Sequence, residues 1–219
     1  MVDITQDGDV LLLTFDDGKA NAVGHDFIDG MNAGLDQAAK EAKAVVVTGR
    51  DGLFSGGFDL KEFEKGPEAT TALVNKGAHM LLRMFTLPQP LVIACRGHAV
   101  AAGGFMLLAA DTRIGAAGNF KIGLNETAIG MALPVFGLQL AAARLSKRHQ
   151  TRCTIQGTLV DPETAVDAGF LDELAAPEAV LDTAMQQAQA LGQLPQSAYT
   201  ANKLAVREPF ISTIQASLN

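Results

Sequence analysis

Apolar residues along the chain follow two patterns: short continuous runs and stretches with helical spacing. Strand-like residues 4–6 and 10–15 lie on either side of an Asp-Gly turn at residues 7–9, which predicts a β-hairpin. Residues 25–40 place apolar side chains three or four positions apart, which predicts an amphipathic helix. The β-branched run at residues 44–48 predicts a buried strand.

The rest of the chain continues to alternate strand and helix and then becomes helical. Residues 50–57 are interpreted as a loop, with a short helix beginning near Asp59. Another helix begins at Asp161 with an N-cap and a proline in its first turn. Pro195 and Pro209 are expected to interrupt the helical end. Further strands are predicted at residues 91–95, 112–115, 119–122 and 170–174, and further helices at 69–85, 103–110, 133–145 and from 177 onward.

These elements predict an α/β fold of stacked β-β-α units with a helical C-terminal region. Residues 1–219 are expected to form one domain, with a core at about 1–175 and a helical region at about 176–219. A content of 48% hydrophobic and 19% charged residues excludes a disordered chain. The Gly-x-Gly-x-x-Gly pattern of a Rossmann domain does not follow any predicted strand.

Charge and targeting patterns exclude several classes of protein. A net charge of −7 argues against nucleic-acid binding, which needs a basic surface. The longest apolar stretch, residues 99–110, is too short to span a bilayer. The first nine residues are polar and acidic, unlike a signal peptide, so a cytoplasmic protein without membrane contact is expected. Cys95 and Cys153 are expected to be free thiols, and the four histidines lack metal-ligand spacing, so no metal site is predicted.

Two glycine-rich turns are the first candidates for chemistry. Residues 54–61 read Phe-Ser-Gly-Gly-Phe-Asp-Leu-Lys, and residues 97–104 follow a predicted strand and end in Gly-Gly. Glycine lets a ligand approach the backbone closely, and the first N–H groups of a helix have no intrahelical partner. Two such turns together provide two N–H donors for one oxyanion. The alternative is that both turns only enter helices and allow close packing.

The same residues resemble the crotonase (enoyl-CoA hydratase/isomerase) superfamily. Residues 54–62 resemble its first oxyanion-hole motif, residues 97–111 its second, and residues 19–22 the early loop that helps to hold coenzyme A. The resemblance extends from about residue 4 to about residue 205. It implies the crotonase (ClpP-like) spiral of repeated β-β-α units and stabilisation of a thioester enolate. It also implies an acyl-CoA substrate without a separate cofactor, and assembly as a homotrimer or a dimer of trimers.

The resemblance carries family roles onto particular residues. The backbone N–H of Phe58 becomes one oxyanion donor, and that of Ala102 the other, with Gly103 as the alternative if the turn shifts by one residue. The residues expected to bind the substrate or its coenzyme A are Lys19, Ala20, Ala22, Gly56, Gly57, Asp59, Leu60 and Asn125. A basic cluster of Arg144, Lys147, Arg148 and Arg152 is more typical of a solvated helix face, with contact to the coenzyme A phosphates as the alternative. Lys61, Lys65 and Lys203 are equal candidates for that contact.

The resemblance also narrows the reaction. Hydratases of the family have two glutamates, and the position of the first is occupied here by Phe105, which cannot transfer a proton. The second is Glu126, in a Gly-Leu-Asn-Glu-Thr run at residues 123–127 that is similar to mitochondrial-type delta3,delta2-enoyl-CoA isomerases. One carboxylate is enough to move a double bond, so isomerisation of 3-enoyl-CoA to 2-enoyl-CoA in fatty acid oxidation is expected, with Glu126 as the catalytic base. Burial is expected to raise its pKa.

Other functions remain open. A hydratase, thioester hydrolase or decarboxylase is favoured if a second carboxylate, such as Glu62 or Asp111, reaches the site. A non-catalytic acyl-CoA-binding protein is the second alternative. Because no Gly-x-Ser-x-Gly elbow surrounds Ser55, a serine hydrolase is not expected. Among the histidines, only His98 lies in a glycine turn, and a structural role is preferred for it.

Overall fold

Eleven strands, within the residues 2–218 that this computed structural model describes, form one large sheet and two small ones. The strands in chain order are β1 (Val2–Asp7), β2 (Val10–Phe15), β3 (Ala22–Val23), β4 (Ala44–Thr48), β5 (Gly52–Ser55), β6 (Gly57–Phe58), β7 (Leu91–Cys95), β8 (Gly97–Val100), β9 (Thr112–Ala116), β10 (Ile122–Gly123) and β11 (Glu173–Ala175). The large sheet has the order β1-β2-β4-β7-β9-β11, and the small sheets have the orders β10-β8-β5 and β3-β6.

Nine α-helices occupy the same described part of the chain, together with three short segments of other helical type. The α-helices are α1 (His25–Glu41), α2 (Leu60–Phe63), α3 (Pro67–Thr86), α4 (Ala102–Ala109), α5 (Val135–Arg144), α6 (Lys147–Gln150), α7 (Pro162–Ala168), α8 (Val180–Gly192) and α9 (Gln196–Leu218). The short segments are two 3₁₀ turns, Thr127–Ile129 and Pro177–Ala179, and a π-helical turn, Thr151–Ile155.

The central strands of the large sheet are apolar runs that are buried on both faces. β1 and β2 pair antiparallel, with Val2 opposite Phe15, and the later neighbours in the sheet pair parallel. Every residue of β4 and of β7 is buried. Parallel strands read as continuous apolar runs because helices cover both faces of the sheet.

Alternate residues of the central strands enter two separate cores. Val45 and Val47 belong to a large core with α1, α3 and α4, whereas Val46 belongs to a smaller core that α8 covers. This division follows from the two-residue period of a strand. Of the two long C-terminal helices, α8 therefore packs on the sheet, and α9 packs against α3 and α5.

The short helix α4 lies inside the large core. All eight of its residues, Ala102 to Ala109, are apolar or glycine and buried. A helix without a polar face has to lie inside the protein. Its terminal N–H and C=O groups cannot reach bulk water, so they need partners within the structure.

Two arginines supply partners at the C-terminal end of α4. The guanidinium of Arg207, on α9, donates to the carbonyl oxygens of Phe85 (2.5 Å) and Ala110 (3.3 Å). Arg144, the last residue of α5, donates to the carbonyl oxygens of Ala110 and of Asp111, the latter at 3.0 Å. Because carbonyl oxygens at a helix C-terminus carry partial negative charge, cations are favourable there.

The Asp111 carboxylate joins these cations to a lysine. One of its oxygens accepts from Lys203 Nζ (2.6 Å), and the other accepts from Arg207 (2.7 Å). Lys203 also donates to the carbonyl oxygens of Leu87 (2.6 Å) and Gln89 (2.9 Å), which follow the end of α3. Asp111, Arg144, Lys203 and Arg207 are called the capping cluster below. Burial lowers the pKa of Lys203 to about 8, although the neighbouring Asp111 acts in the opposite direction.

The capping cluster corrects one interpretation of the basic residues. Lys203 is 8% exposed, and its ammonium group donates to carbonyl oxygens just after the end of α3 and to the Asp111 carboxylate, so it is not available to bind a phosphate of the substrate. Arg144 has the same structural role, and burial lowers its pKa to about 9. Arg148, by contrast, forms an exposed ion pair with Asp167.

Several predicted elements differ from the structure. Residues 50–57 contain strands β5 and β6 rather than only a loop, and β8 lies within the predicted glycine-rich turn. The strand predicted at 119–122 is reduced to Ile122–Gly123, and the one predicted at 170–174 begins at Glu173. Pro209 lies inside α9 instead of interrupting it, whereas Pro195 does separate α8 from α9.

Both cysteines are free thiols, as the sequence predicts. Cys95 and Cys153 are both free and buried, and burial raises the pKa of the Cys95 thiol to about 12. Within residues 2–218, none of the helices combines the length and apolar character needed to cross a bilayer.

The capping cluster makes Asp111 sensitive to loss of its charge. Asp111→Asn leaves Lys203 and Arg207 buried without a counter-charge, and we expect the free energy of unfolding to fall by about 3–5 kcal/mol. The matched control is Asp9→Asn, because Asp9 forms an exposed ion pair with Lys43 (2.8 Å). Asp9→Asn should lower the free energy of unfolding by less than about 1 kcal/mol. Urea unfolding of the three proteins measures both values, and equal costs would contradict this account.

Candidate active site

A cavity of about 250 Å³ lies where the first glycine turn, the start of α4 and residues 125–134 meet. Its walls are mainly apolar. Among the described residues that line it, Glu126 is the one ionisable side chain. The lining residues are Gly56, Phe58, Leu60, Phe63, Val74, Ala101, Phe105, Asn125, Glu126, Ile129, Met131, Ala132 and Pro134.

The first glycine turn directs a backbone donor away from its own sheet. β6 pairs with β3 in parallel, with Phe58 opposite Val23, and the N–H of Asp59 donates to the carbonyl oxygen of Val23 (3.2 Å). Successive N–H groups of a strand point to opposite edges. The N–H of Phe58 therefore points to the other edge of β6, where the described part of this two-stranded sheet has no further strand.

The second glycine turn presents the start of α4. Ala101 has a φ of 52°, and its N–H donates to the carbonyl oxygen of Gly123 (3.0 Å). Ala102 is the first residue of α4, so its N–H has no partner within the helix. A positive φ at alanine is strained, at a cost of about 1–3 kcal/mol. Such strain is common where the backbone has to present a functional group.

The two turns touch each other at Gly57. A Cβ placed on Gly57 would lie 2.9 Å from the Cβ of Ala101 and 3.7 Å from the nitrogen of Ala102. Gly57 also has a φ of 110°, which favours glycine. Gly103 packs against the backbone of the first turn, since a Cβ placed on Gly103 would lie 2.7 Å from the carbonyl oxygen of Ser55. The two turns that carry the candidate donors Phe58 and Ala102 are thus in contact, and Phe58 and Ala101 both line the cavity.

Glu126 is buried beside these turns with little polar support. It is 5% exposed, and its Oε2 has no hydrogen-bond partner. Desolvation raises the pKa of Glu126, while a hydrogen bond to its own backbone acts weakly in the other direction. Its backbone is held by the following turn, where its carbonyl oxygen accepts from the N–H groups of Ile129 (3.1 Å) and Met131 (2.8 Å). A carboxylate whose pKa is raised is a stronger base than an exposed carboxylate, so this environment favours proton transfer by Glu126.

No second carboxyl reaches the cavity from the described residues. The Phe105 ring lines the cavity and packs edge-on against Phe136, with 5.3 Å between the ring centroids. Glu62 lines a separate cavity and forms an ion pair with Lys65 (2.5 Å). Asp111 belongs to the capping cluster beyond the far end of α4.

The predicted coenzyme A loop adjoins the first turn without lining the 250 Å³ cavity. The carbonyl oxygen of Ala20 accepts from the N–H of Gly56 (2.9 Å), and Lys19 is exposed. Ala22 and Asp59 line a second cavity of about 340 Å³. Several carboxylates share that cavity, namely Asp16, Asp17, Asp26 and Glu62.

The structure adds cavity residues that the sequence motifs did not mark. Phe63 and Val74 come from α2 and α3, and Ile129 and Met131 come from the segment after Glu126. Apolar side chains at these positions carry no chemical signal in the sequence. His98 has the structural role that the sequence favoured, because its Nδ1 accepts from the N–H of Lys121 (2.9 Å).

Comparison with known proteins gives one consistent result. The model of a protein family described as enoyl-CoA hydratase/isomerase matches residues 5–219. A crystal structure of an enoyl-CoA hydratase/isomerase family protein from Pseudomonas syringae is 43% identical, with a TM-score of 0.96, over 99% of this chain and 94% of that one. The crystal structure of the human mitochondrial delta3-delta2-enoyl-CoA isomerase is 26% identical, with a TM-score of 0.91, over 99% of this chain and 90% of the isomerase chain.

Curated relatives carry hydratase names. A probable enoyl-CoA hydratase of Mycobacterium avium is 29% identical over 213 residues, which is 95% of this chain and 82% of the relative. The crotonase-type fold is therefore confirmed, whereas the names of similar proteins include both hydratase and isomerase.

The buried Glu126 carboxyl should lower stability at neutral pH. Because its folded pKa is raised, its destabilising effect is complete above that pKa and disappears as pH falls toward the ordinary value of 4.5. Glu126→Gln removes the charge, so we expect a higher Tm than wild type at about pH 8 and a smaller difference at about pH 4. Thermal unfolding at both pH values tests this, and a difference that does not vary with pH would contradict it.

Proposed function

The chain belongs to the enoyl-CoA hydratase/isomerase family, and from that premise we propose that it isomerises 3-enoyl-CoA to 2-enoyl-CoA with Glu126 as its only acid-base group. The observation that carries this proposal is the lining of the 250 Å³ cavity, which has one carboxyl among apolar side chains. Moving a double bond requires one group that removes a proton and returns it. Hydration also requires an activated water.

The oxyanion donors act on the thioester. The carbonyl oxygen of the substrate accepts hydrogen bonds from the N–H groups of Phe58 and Ala102, which stabilise negative charge on that oxygen. These donors are backbone groups held in place by β6 and by α4. They are therefore oriented before the charge develops, and no cofactor is needed for this step.

Glu126 then transfers the proton. The carboxylate removes a proton from C2, and the electron pair of that C–H bond delocalises over the thioester and the C3–C4 double bond as a dienolate. The same carboxyl returns a proton to C4, which leaves a double bond between C2 and C3. Atoms and charge balance without water, an oxidant or a reductant. The raised pKa of Glu126 matches the demand that it be a base first and an acid next.

The apolar cavity wall at Phe105 supports isomerisation over hydration. Phe105 is 1% exposed, and its ring is packed so closely that a Cβ on Gly137 would lie 2.7 Å from it. Hydratases of the family have a glutamate at the position that this ring occupies. An apolar wall neither activates water nor delivers a proton.

Hydration is the second candidate, because the curated relatives carry hydratase names. It requires a further acid-base group that the described cavity lining lacks. Hydrolysis or decarboxylation of a thioester, and non-catalytic binding of acyl-CoA, are the remaining alternatives.

A homotrimer or dimer of trimers remains a prediction. It is supported by the exposed Leu204 and Val206 on α9, which suit burial against another copy of the chain.

A paired assay tests the proposal. A 3-enoyl-CoA and a 2-enoyl-CoA are supplied separately, and double-bond migration and water addition are followed. We expect migration by wild type with negligible hydration, and a loss of about 100-fold or more in Glu126→Gln, because general acid-base groups contribute at least that much. Glu163→Gln is the matched control, since Glu163 is an exposed carboxyl on α7.

The other outcomes of this assay separate the alternatives. Hydration that exceeds migration would overturn the isomerase assignment and point to a second acid-base group. Tight binding of both thioesters without turnover would overturn catalysis in favour of a binding protein. Equal activity of wild type and Glu126→Gln would remove Glu126 from the mechanism.

A further inference from the structure

We propose that Ser55 is a positioning residue whose buried hydroxyl sets the orientation of the Phe58 N–H, and that Asn21 anchors this hydroxyl. The proposal rests on the proposed function, because it explains how the first oxyanion donor is held. It concerns two buried polar residues that the acid-base step itself does not use.

The Ser55 hydroxyl connects two segments of backbone. Ser55 is fully buried, and its Oγ donates to the carbonyl oxygen of Asn21 (2.8 Å) and accepts from the N–H of Gly57 (3.2 Å). Both functions of the hydroxyl are thus used within the protein. Ser55 does not line the 250 Å³ cavity, so its hydroxyl is not placed to attack a substrate there.

Asn21 is held firmly enough to serve as an anchor. It is 2% exposed, and its side-chain amide donates to the carbonyl oxygens of Leu53 (3.2 Å) and Phe54 (3.1 Å). Its Oδ1 accepts from the N–H of Asp17 (3.0 Å), and its own N–H donates to the Asp17 carboxylate (2.8 Å). Asn21 has a φ of 48°, a left-handed conformation that asparagine tolerates better than most residues.

The anchored hydroxyl restrains a flexible position. Gly57 has a φ of 110° and no side chain, so its backbone can rotate readily. The Ser55 hydroxyl holds its N–H on one side, and the Asp59 N–H is held by Val23 (3.2 Å) on the other. The N–H of Phe58 lies between these two fixed points. Its direction toward the cavity therefore depends on both bonds.

Ser55 also contacts the second turn. A Cβ on Gly103 would lie 3.0 Å from the Cβ of Ser55 and 2.7 Å from its carbonyl oxygen. Gly103 directly follows Ala102, the second proposed donor. One residue thus touches both segments that supply N–H groups to the thioester, and a shift of Ser55 would change the distance between the two donors.

Ser55→Ala tests the proposal, with Thr48→Val as the matched control. Thr48 is also fully buried, and its hydroxyl donates to the carbonyl oxygens of Gly49 (3.2 Å) and Ala94 (3.1 Å), away from the cavity. We expect both variants to lower Tm to a similar degree. With 3-hexenoyl-CoA, kcat should fall about tenfold or more in Ser55→Ala alone, with little change in KM, because the donor acts mainly in the transition state. The pH at half-maximal kcat should not change, since Glu126 is untouched.

A spectroscopic measurement separates this proposal from the proposed function. Bound 2-hexenoyl-CoA, labelled with carbon-13 at the thioester carbonyl, should show a downfield shift in wild type and a smaller one in Ser55→Ala. No shift in wild type would overturn the oxyanion site itself. A carbonyl shift that Ser55→Ala retains in full would overturn the positioning role of Ser55 alone. A loss of kcat in Thr48→Val equal to that in Ser55→Ala would also overturn this role, because the effect would then come from general destabilisation.

Asn21→Gly keeps the test decisive if Ser55→Ala fails to fold. Glycine accepts the left-handed φ and keeps the carbonyl oxygen that Ser55 contacts, but it removes the side-chain amide bonds. We expect Asn21→Gly to lower both kcat and the carbonyl shift, as Ser55→Ala does, but by a smaller amount. A folded Asn21→Gly with wild-type values of both would overturn the role of Asn21 as the anchor.

Discussion

The burial of α4 is the constraint on which the rest of the structure depends. A helix that is apolar on every side has to lie in the core, and both of its ends then need polar partners. The C-terminal end receives Arg144 and Arg207 together with the Asp111 carboxylate. The N-terminal end lies against the first glycine turn, and the partial positive charge of a helix N-terminus is favourable for an anion there. The same buried helix therefore explains the position of α9 and the position of the candidate site.

The candidate site combines strain and desolvation that the core has to offset. Ala101 keeps a positive φ, and the buried Glu126 oxygen Oε2 lacks a hydrogen-bond partner. Each feature lowers stability, and each contributes to the proposed chemistry. The strain presents an N–H group, and the desolvation brings the carboxyl pKa toward the working pH. Rigid packing around the two glycine turns keeps both features in place.

Local patterns are sufficient to predict the strands at 44–48 and 91–95, because both are short runs without charged residues that contain β-branched side chains, a composition typical of a buried strand. β5 and β8 were missed, since they are short, contain glycine and pair with each other across more than forty positions of the chain. A proline inside a helix removes one hydrogen bond, so the sequence predicts an interruption at Pro209. Packing of α9 against α3 and α5 overrides that loss.

The sequence by itself determined the fold class, the two glycine turns and the presence of Glu126 with Phe105 in place of a second glutamate. The fold class and the glycine turns follow from residue type and spacing, which are local properties of the chain, whereas the meaning of Glu126 and Phe105 is what the resemblance to the family implies. Only the tertiary structure decided which side chains share the cavity, that Lys203 caps the end of α3 instead of facing a phosphate, and that Ser55 lies between the two turns. Such contacts join residues far apart in sequence, and their geometry depends on how the helices and sheets pack.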